Sequence, residues 1–401
     1  MEKTNINGME FILKQTKGPG IVSGVFFIKG GSIEDPSGKK GLVNITLKLL
    51  LKGSKNYSSL NINKFFEDSG GFISASVSEE FSTIEFAVRA DDFEKAIEII
   101  KDILENPLFP EDKLSIEIEN VKSQLRAKRE ESFSYAFDKL RSEAFKETVY
   151  EVSPLGREED LNGITVSDVR QMWKKLFSRE RFIVSIVGDL PLDRMKSKLS
   201  FFNIPKGDIP NFPSVEIKSS KGGCKFYTRE GAQSTVLTLY KAPAVKDRDY
   251  FKFRLLNSVL GSGFTSKLFQ ELREKRGYAY AVGSVYMPRL NFGSMVTYIG
   301  TAPEKTDDAI SDMKIVIDSF EKMVSEEDIK IAKEKLIGDF LMDHQTRAKQ
   351  AYYLGWFEAV GLGYEYDEKY PDIIRSITLK DVVDVYRKFI TQGSICVVVK
   401  P

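Results

Sequence analysis

Histidine is the side chain most often used to hold a catalytic metal, and this 401-residue chain has one, His344, beside Asp343. A zinc site needs about three anionic or imidazole ligands and an activatable water. The soft donors that remain are Cys224 and Cys396, and neither stands in a CxxC pair. A site made from His344, Cys224 and Cys396 would require three distant segments to meet, so His344 reads as an ordinary surface or packing histidine. Cys396, inside the apolar run Ile395-Cys396-Val397-Val398-Val399, reads as a buried strand cysteine. A disulfide between the two is geometrically possible, and no feature of the sequence supports it. Leu272-Arg273-Glu274-Lys275-Arg276-Gly277-Tyr278-Ala279-Tyr280 offers different chemistry. A guanidinium and a phenol are both hydrogen-bond donors, able to hold a carbonyl oxygen or an anion. By residue type alone, Arg273 is a helix-end cation in a surface ion pair and Tyr280 a strand residue in the core.

The elements that must carry these residues are legible from periodicity. Met9–Lys14 and Val22–Ile28 are β-rich and partly alternating. Gly30-Gly31-Ser32 and Asp35-Pro36-Ser37-Gly38 make a turn. From Gly41 to Lys52 the spacing of Leu42, Ile45, Leu49 and Lys52 predicts a helix, and a second runs through Ile62 to Glu67 and stops at Gly70-Gly71. Phe72 to Val88 alternates like a hairpin. Phe93 to Glu105 and Lys113 to Phe145 are expected as helices, and Phe182–Gly188 as a strand. A segment bearing Pro205, Pro210 and Pro213 reads as a linker over 204–222, between an N-terminal domain 1–203 and a C-terminal domain 223–401. Beyond it, Gln233 to Tyr240 is strand-like, and Tyr250–Leu260, Glu304–Val324 and Ser325–Leu341 are helical.

The two halves echo each other. Ile164-Thr165-Val166-Ser167-Asp168-Val169 precedes Trp173-Lys174-Lys175-Leu176, and Ile377-Thr378-Leu379-Lys380-Asp381-Val382 precedes Tyr386-Arg387-Lys388-Phe389. Each block has a Thr cap, an aromatic on the apolar face and a final strand, so an internal duplication is expected.

Gly41-Leu42-Val43-Asn44-Ile45-Thr46-Leu47-Lys48-Leu49-Leu50-Leu51-Lys52-Gly53-Ser54 resembles the signature helix of the insulinase/pitrilysin family, which includes the mitochondrial processing peptidases. That helix carries the inverted zinc motif H-x-x-E-H. Asn44 and Lys48 occupy the two histidine positions, and Leu47 that of the general-base glutamate. After Phe109-Pro110-Glu111, Glu117 matches a supporting acid, and Gln124 falls where the family has its third ligand. Gly70-Gly71 followed by Phe72, Ile73, Ser74, Ala75 and Ser76 resembles the edge strand on which an extended substrate pairs. Ser153-Pro154-Leu155-Gly156-Arg157 resembles the family's Pro-Leu-Gly turn, and Gly261-Ser262-Gly263-Phe264-Thr265-Ser266-Lys267-Leu268 its Gly-rich turn into a helix. Arg273 and Tyr280 then match its substrate-holding pair, with Arg276 and Tyr278 as competitors at the wrong spacing.

The resemblance implies an α+β fold of two homologous domains, each a mostly antiparallel sheet packed with helices, arranged as a clam shell across the linker. It implies no zinc in this chain, since an Asn, a Lys and a Gln supply no ligand set, and zinc in a partner chain instead. The expected function is that of the non-zinc-binding subunit of a heteromeric zinc peptidase, in which Arg273 and Tyr280 bind substrate and stabilise the transition state. The expected partners are a homologous subunit with an intact zinc motif and a peptide or unfolded protein. The alternatives are a structural subunit of an assembly, or a homodimer that binds peptides without cleaving them.

Composition excludes several other classes. With 59 basic and 58 acidic side chains, no charge excess draws the chain to nucleic acid or to an anionic membrane. Hydrophobic residues at 42% suffice for sizeable cores, yet no apolar stretch approaches the ~20 residues of a membrane span. The N-terminus lacks an apolar signal core, so a cytoplasmic location is expected, or a periplasmic one if a leader has been removed.

Overall fold

The computed structural model describes residues 1–218 and 223–401. The last four residues of the expected linker, 219–222, lie outside the described residues. The chain forms two compact units. The first comprises Met1–Leu125, Val152–Phe212 and Met342–Asp367; the second comprises Arg126–Glu151, Pro213–Leu341 and Glu368–Pro401.

The sheet of the first unit holds β1 (Glu2–Ile6), β2 (Met9–Gln15), β3 (Ile21–Lys29), β4 (Phe72–Val77), β5 (Phe81–Arg89) and β6 (Phe182–Gly188), in the order β1-β2-β6-β3-β5-β4. Its pairings are antiparallel except β2 with β6. The strands alternate between two apolar faces. Phe11, Leu13, Val22, Phe26, Ile28, Val184 and Ile186 face one cluster with the helices α1 (Leu42–Leu50), α2 (Ser59–Asp68) and α3 (Phe93–Glu105). Ile12, Val25, Phe27, Ile183 and Val187 face another, built with Ala351, Leu354 and Ala359 of the helix Arg347–Ala359. A near-continuous apolar run such as Val25-Phe26-Phe27-Ile28 is the sequence mark of a strand buried on both faces.

The second face is therefore covered by a helix from far along the chain. That helix lies so close that a Cβ on Gly355 would meet the Phe27 ring at 2.6 Å, and the Ser185 hydroxyl donates to the Ala351 carbonyl at 2.6 Å.

In the second unit, β7 (Lys225–Thr228), β8 (Ser234–Ala242), β9 (Ala279–Pro288), β10 (Gly293–Thr301) and β11 (Ser394–Lys400) take the order β7-β11-β8-β10-β9. Only β7 with β11 is parallel. This repeats the order β2-β6-β3-β5-β4, strand for strand, and β1 is the addition. The helix Ser132–Ala144 packs on β8 and β11, as Arg347–Ala359 packs on their counterparts β3 and β6. Each compact unit thus takes one covering helix from the other half of the sequence, whereas a simple division at the linker would leave each sheet with one bare apolar face.

Capping boxes at Thr165–Asp168 and Thr378–Asp381 open the matching helices Val166–Leu176 and Leu379–Phe389, so the local echo seen in the sequence has a local physical origin. Three sequence expectations need correction. Glu304–Val324 is interrupted at Ser319, between the helices Thr306–Asp318 and Phe320–Met323. Lys113–Phe145 is two helices, α4 (Glu111–Glu130) and α5 (Ser132–Ala144), because the Glu131 carboxylate accepts from the Phe133 and Ser134 backbone N–H groups at 3.0 and 2.6 Å and starts a new helix. Cys396 is a half-buried strand residue bonded to Cys224, in a disulfide that ties the start of β7 to β11. No helix among the described residues is long and apolar enough to cross a membrane.

Candidate functional site

In the first unit, the chain enters α1 through a left-handed Gly41 (φ 100°), where a Cβ would meet the Leu155 carbonyl at 2.8 Å. Gly156, also left-handed, lies so close that a Cβ there would meet the Lys40 carbonyl at 2.1 Å. The Pro-Leu-Gly turn is thus packed against the helix start, and glycine at both positions permits the approach. Asp35 closes the arrangement: its carboxylate accepts from the backbone N–H groups of Gly41 and Val43, each at 2.8 Å. It satisfies two of the N–H groups that a helix start leaves without partners.

Burial outweighs those two hydrogen bonds and the nearby Lys40, and pushes the Asp35 carboxyl up from 3.8 to about 6. A folded-state value above the unfolded one means that protonation favours the fold. The resulting stability is complete below pH 3.8 and is lost as pH rises through about 6. Between pH 7 and 5 the first unit should gain about 1 kcal/mol. Both tryptophans, Trp173 and Trp356, lie in that unit, so urea unfolding followed by their fluorescence reads it directly. Asp35→Asn should flatten the dependence; an unchanged slope would reject this account.

Along α1, Asn44 and Lys48 stand one turn apart on one face. Asn44 is 8% exposed, and its amide nitrogen is enclosed with no hydrogen-bond partner. Lys48 is half-buried, with no carboxylate partner among the described residues. Leu47 is buried in the core. Just past the helix, Lys52 forms an ion pair with buried Glu117 of α4 at 2.8 Å, and Gln124 lies exposed two turns further on the same face of α4. The donor chemistry does not fit zinc. Lys48 is a cation, Leu47 has no donor atom, and the nearby carboxylate, Glu117, is engaged by Lys52. Among the described residues no group of three His, Cys, Asp or Glu side chains could hold a metal ion.

Phe72, Ile73, Ser74, Ala75 and Ser76 form β4, at the end of the six-stranded sheet and against α1. Ile73 and Ala75 pack on the core, while Phe72, Ser74 and Ser76 alternate outward. The inner edge of β4 pairs with β5; its outer edge has no strand neighbour among the described residues. Such an edge offers backbone donors and acceptors to an extended peptide.

In the second unit, Arg273 sits in a π-helical turn, Phe269–Glu274, and Tyr280 near the start of β9. Strand β9 ends its own sheet, as the topological counterpart of β4. Its pairing with β10 slips at Gly300/Thr301, so that Ala279 and Ala281 face consecutive residues and Tyr280 is the extra one. A bulge of this kind re-aims a side chain. Tyr280 is 63% exposed, contrary to the core position that residue type suggests. Arg273 Nη1 donates to the Tyr280 carbonyl at 2.7 Å, and its guanidinium lies 5.2 Å from the centre of the Phe269 ring.

The neighbouring candidates are otherwise engaged. Arg276 donates to the Glu271 carboxylate at 3.2 Å and to Asp312 at 3.1 Å, and Lys305 lies over the Tyr278 ring. Arg273 has no carboxylate partner among the described residues. His344 lies in the first unit, where its Nε2 is 2.7 Å from Asp367 and its ring stacks on Tyr353 at 4.8 Å, a packed histidine.

Sequence reading missed the Asp35 cradle and the bulge at Tyr280. The first had a faint signal, an acid in a turn shortly before a helix. The second had none, because a bulge is a property of the pairing between β9 and β10.

Residues 11–157 match the family model described as Insulinase (Peptidase family M16), and residues 163–336 the one described as Peptidase M16 inactive domain. Among curated proteins, the "Non-peptidase homolog YmxG" of Helicobacter pylori is 27% identical, over 89% of this chain and 83% of its own. An "Uncharacterized zinc protease" of Rickettsia bellii is 23% identical over 93% and 90%, and the mitochondrial-processing peptidase subunit beta of Dictyostelium discoideum 21% over 86% and 76%. Among solved structures, a peptidase M16 inactive domain from Pseudomonas fluorescens aligns over 100% of this chain and 97% of its own, with a TM-score of 0.92 at 19% identity. A protease from Helicobacter pylori aligns over 100% and 99%, with a TM-score of 0.90 at 20% identity.

Proposed function

Since this chain belongs to the insulinase (peptidase M16) family, we propose that it is the non-zinc-binding subunit of a two-chain zinc peptidase, lending Arg273 and Tyr280 to a catalytic partner. The observation that carries this reading is the Arg273–Tyr280 arrangement: a guanidinium with no carboxylate partner, hydrogen-bonded to the backbone of an exposed tyrosine on an open sheet edge. A surface cation with a merely structural task would be expected in an ion pair, as Arg276 is. The metal-site positions meanwhile hold Asn44, Leu47, Lys48 and Gln124, which supply neither ligands nor a general base. In this reading Arg273 and Tyr280 donate hydrogen bonds to the peptide carbonyl and the oxyanion, while zinc held by the partner would supply the activated water.

The test is co-expression with a homologous chain that carries an intact H-x-x-E-H motif. The two should co-purify with zinc in the partner alone, and hydrolyse peptides only together. Zinc-dependent hydrolysis by this chain alone would overturn the reading. The name of the Helicobacter relative, a non-peptidase homologue, favours the alternative of a structural or peptide-binding protein. That alternative predicts assembly or peptide affinity with no gain in a partner's turnover. For the compartment, the Cys224–Cys396 disulfide supports an oxidising location over the reducing cytoplasm expected from sequence. Alkylation of both cysteines in protein extracted without reductant would argue the reverse.

A further inference from the structure

The position vacated by zinc ligands keeps a particular polar character. Lys48 is a half-buried cation with no counter-ion, and Asn44, one turn away on the same face, encloses an amide nitrogen with no partner. The Asn44 condition costs free energy in a folded protein, because an enclosed donor has given up water without gaining an acceptor, while Lys48 stays within reach of solvent and brings the positive charge. The next cation along, Lys52, is already neutralised by Glu117 at 2.8 Å, so the uncompensated positive charge is specific to Lys48. The helix carrying both residues lies against β4, whose outer edge is open to an extended chain.

We propose that this decayed metal position is a carboxylate-binding site, in which Lys48 and Asn44 receive a carboxylate of an extended peptide added to the edge of β4. A carboxylate is acceptor-only and anionic, so it matches an ammonium and an amide N–H₂ that have no acceptor of their own. A half-turn of the Asn44 carboxamide exchanges its donor and acceptor ends and presents the N–H₂ group on the open side of the helix. The carboxylate comes either from the C-terminus of the peptide or from an Asp or Glu side chain within it. The inference rests on the reading of β4 as a peptide-binding edge.

The experiment is fluorescence anisotropy of the full chain with a fluorescein-labelled extended peptide of one sequence. The peptide is prepared with a free or an amidated C-terminus, and with an internal Glu or Gln. Removing the recognised carboxylate should weaken binding about ten-fold. A loss that follows amidation identifies the C-terminus; one that follows Gln identifies the side chain. Lys48→Gln should abolish the discrimination and Lys48→Arg should keep it, while circular dichroism verifies that both variants fold. Equal affinity for every peptide form in the unaltered chain, or discrimination that survives in Lys48→Gln, overturns the proposal and leaves peptide binding at β4 standing. Absence of any peptide binding overturns both, without touching the role of Arg273, which is read by turnover of the two-chain complex.

Discussion

Arg273→Ala should lower turnover by the proposed two-chain enzyme by about 10²–10³-fold while the complex still assembles. An oxyanion donor acts on charge that develops only in the transition state, so its loss falls mainly on kcat. Arg273 is exposed and makes no ion pair among the described residues, so its removal should not unfold the second unit. The effect has two sources. One is the lost guanidinium; the other is the freed Tyr280 carbonyl, now held at 2.7 Å by Arg273 Nη1. Arg273→Lys separates them, since it keeps the charge and loses the planar fork. Arg276→Ala is the control, because that side chain is occupied by Glu271 and Asp312. Steady-state kinetics at equal zinc content and equal elution volume decides the matter. Full activity in Arg273→Ala would remove this residue from catalysis.

The largest gain of property should come from restoring ligands. The combined substitutions Asn44→His, Lys48→His and Gln124→Glu replace an amide, an ammonium and a second amide by two imidazoles and a carboxylate. The variant should bind about one zinc per chain, read by elemental analysis after dialysis, and the unaltered chain should bind none. Zinc should also stabilise it, by about 2.7 kcal/mol at a free concentration 100 times the dissociation constant. Leu47 stays in this variant because it is buried in the core and matches, by the resemblance, the base position and not a ligand position. Hydrolysis should therefore require Leu47→Glu in addition. A folded three-ligand variant that binds no more zinc than the unaltered chain would show that the ligand positions have been misplaced.

Much of the fold was legible because its signals are short-range. The Thr165 and Thr378 capping boxes, the helix of Leu42, Ile45 and Leu49, and the strand Phe182–Gly188 each depend on residues a few positions apart. The helical pattern through Lys113–Phe145 was read without its break because Glu131 is a helix former by composition, and it acts as a cap only once its backbone turns extended. The exchange of helices between compact units was not legible. An apolar stripe on Arg347–Ala359 announces that some surface must cover it, not which sheet does so.

The candidate site divides in the same way. By itself the sequence determined that Asn44, Leu47, Lys48 and Gln124 supply no zinc ligand set, since the capacity to ligate a metal belongs to the side chain and survives any fold. It also marked Arg273, Tyr280 and the strand Phe72–Ser76 as candidates by their resemblance to a known pattern. Only the tertiary structure decided that Arg273 and not Arg276 is left without an acid, that Tyr280 emerges at a bulge, and that Asn44 and Lys48 retain donors without acceptors. These are matters of burial and pairing. They depend on residues such as Asp312 and Thr301 that are remote in sequence, so no local pattern contains them.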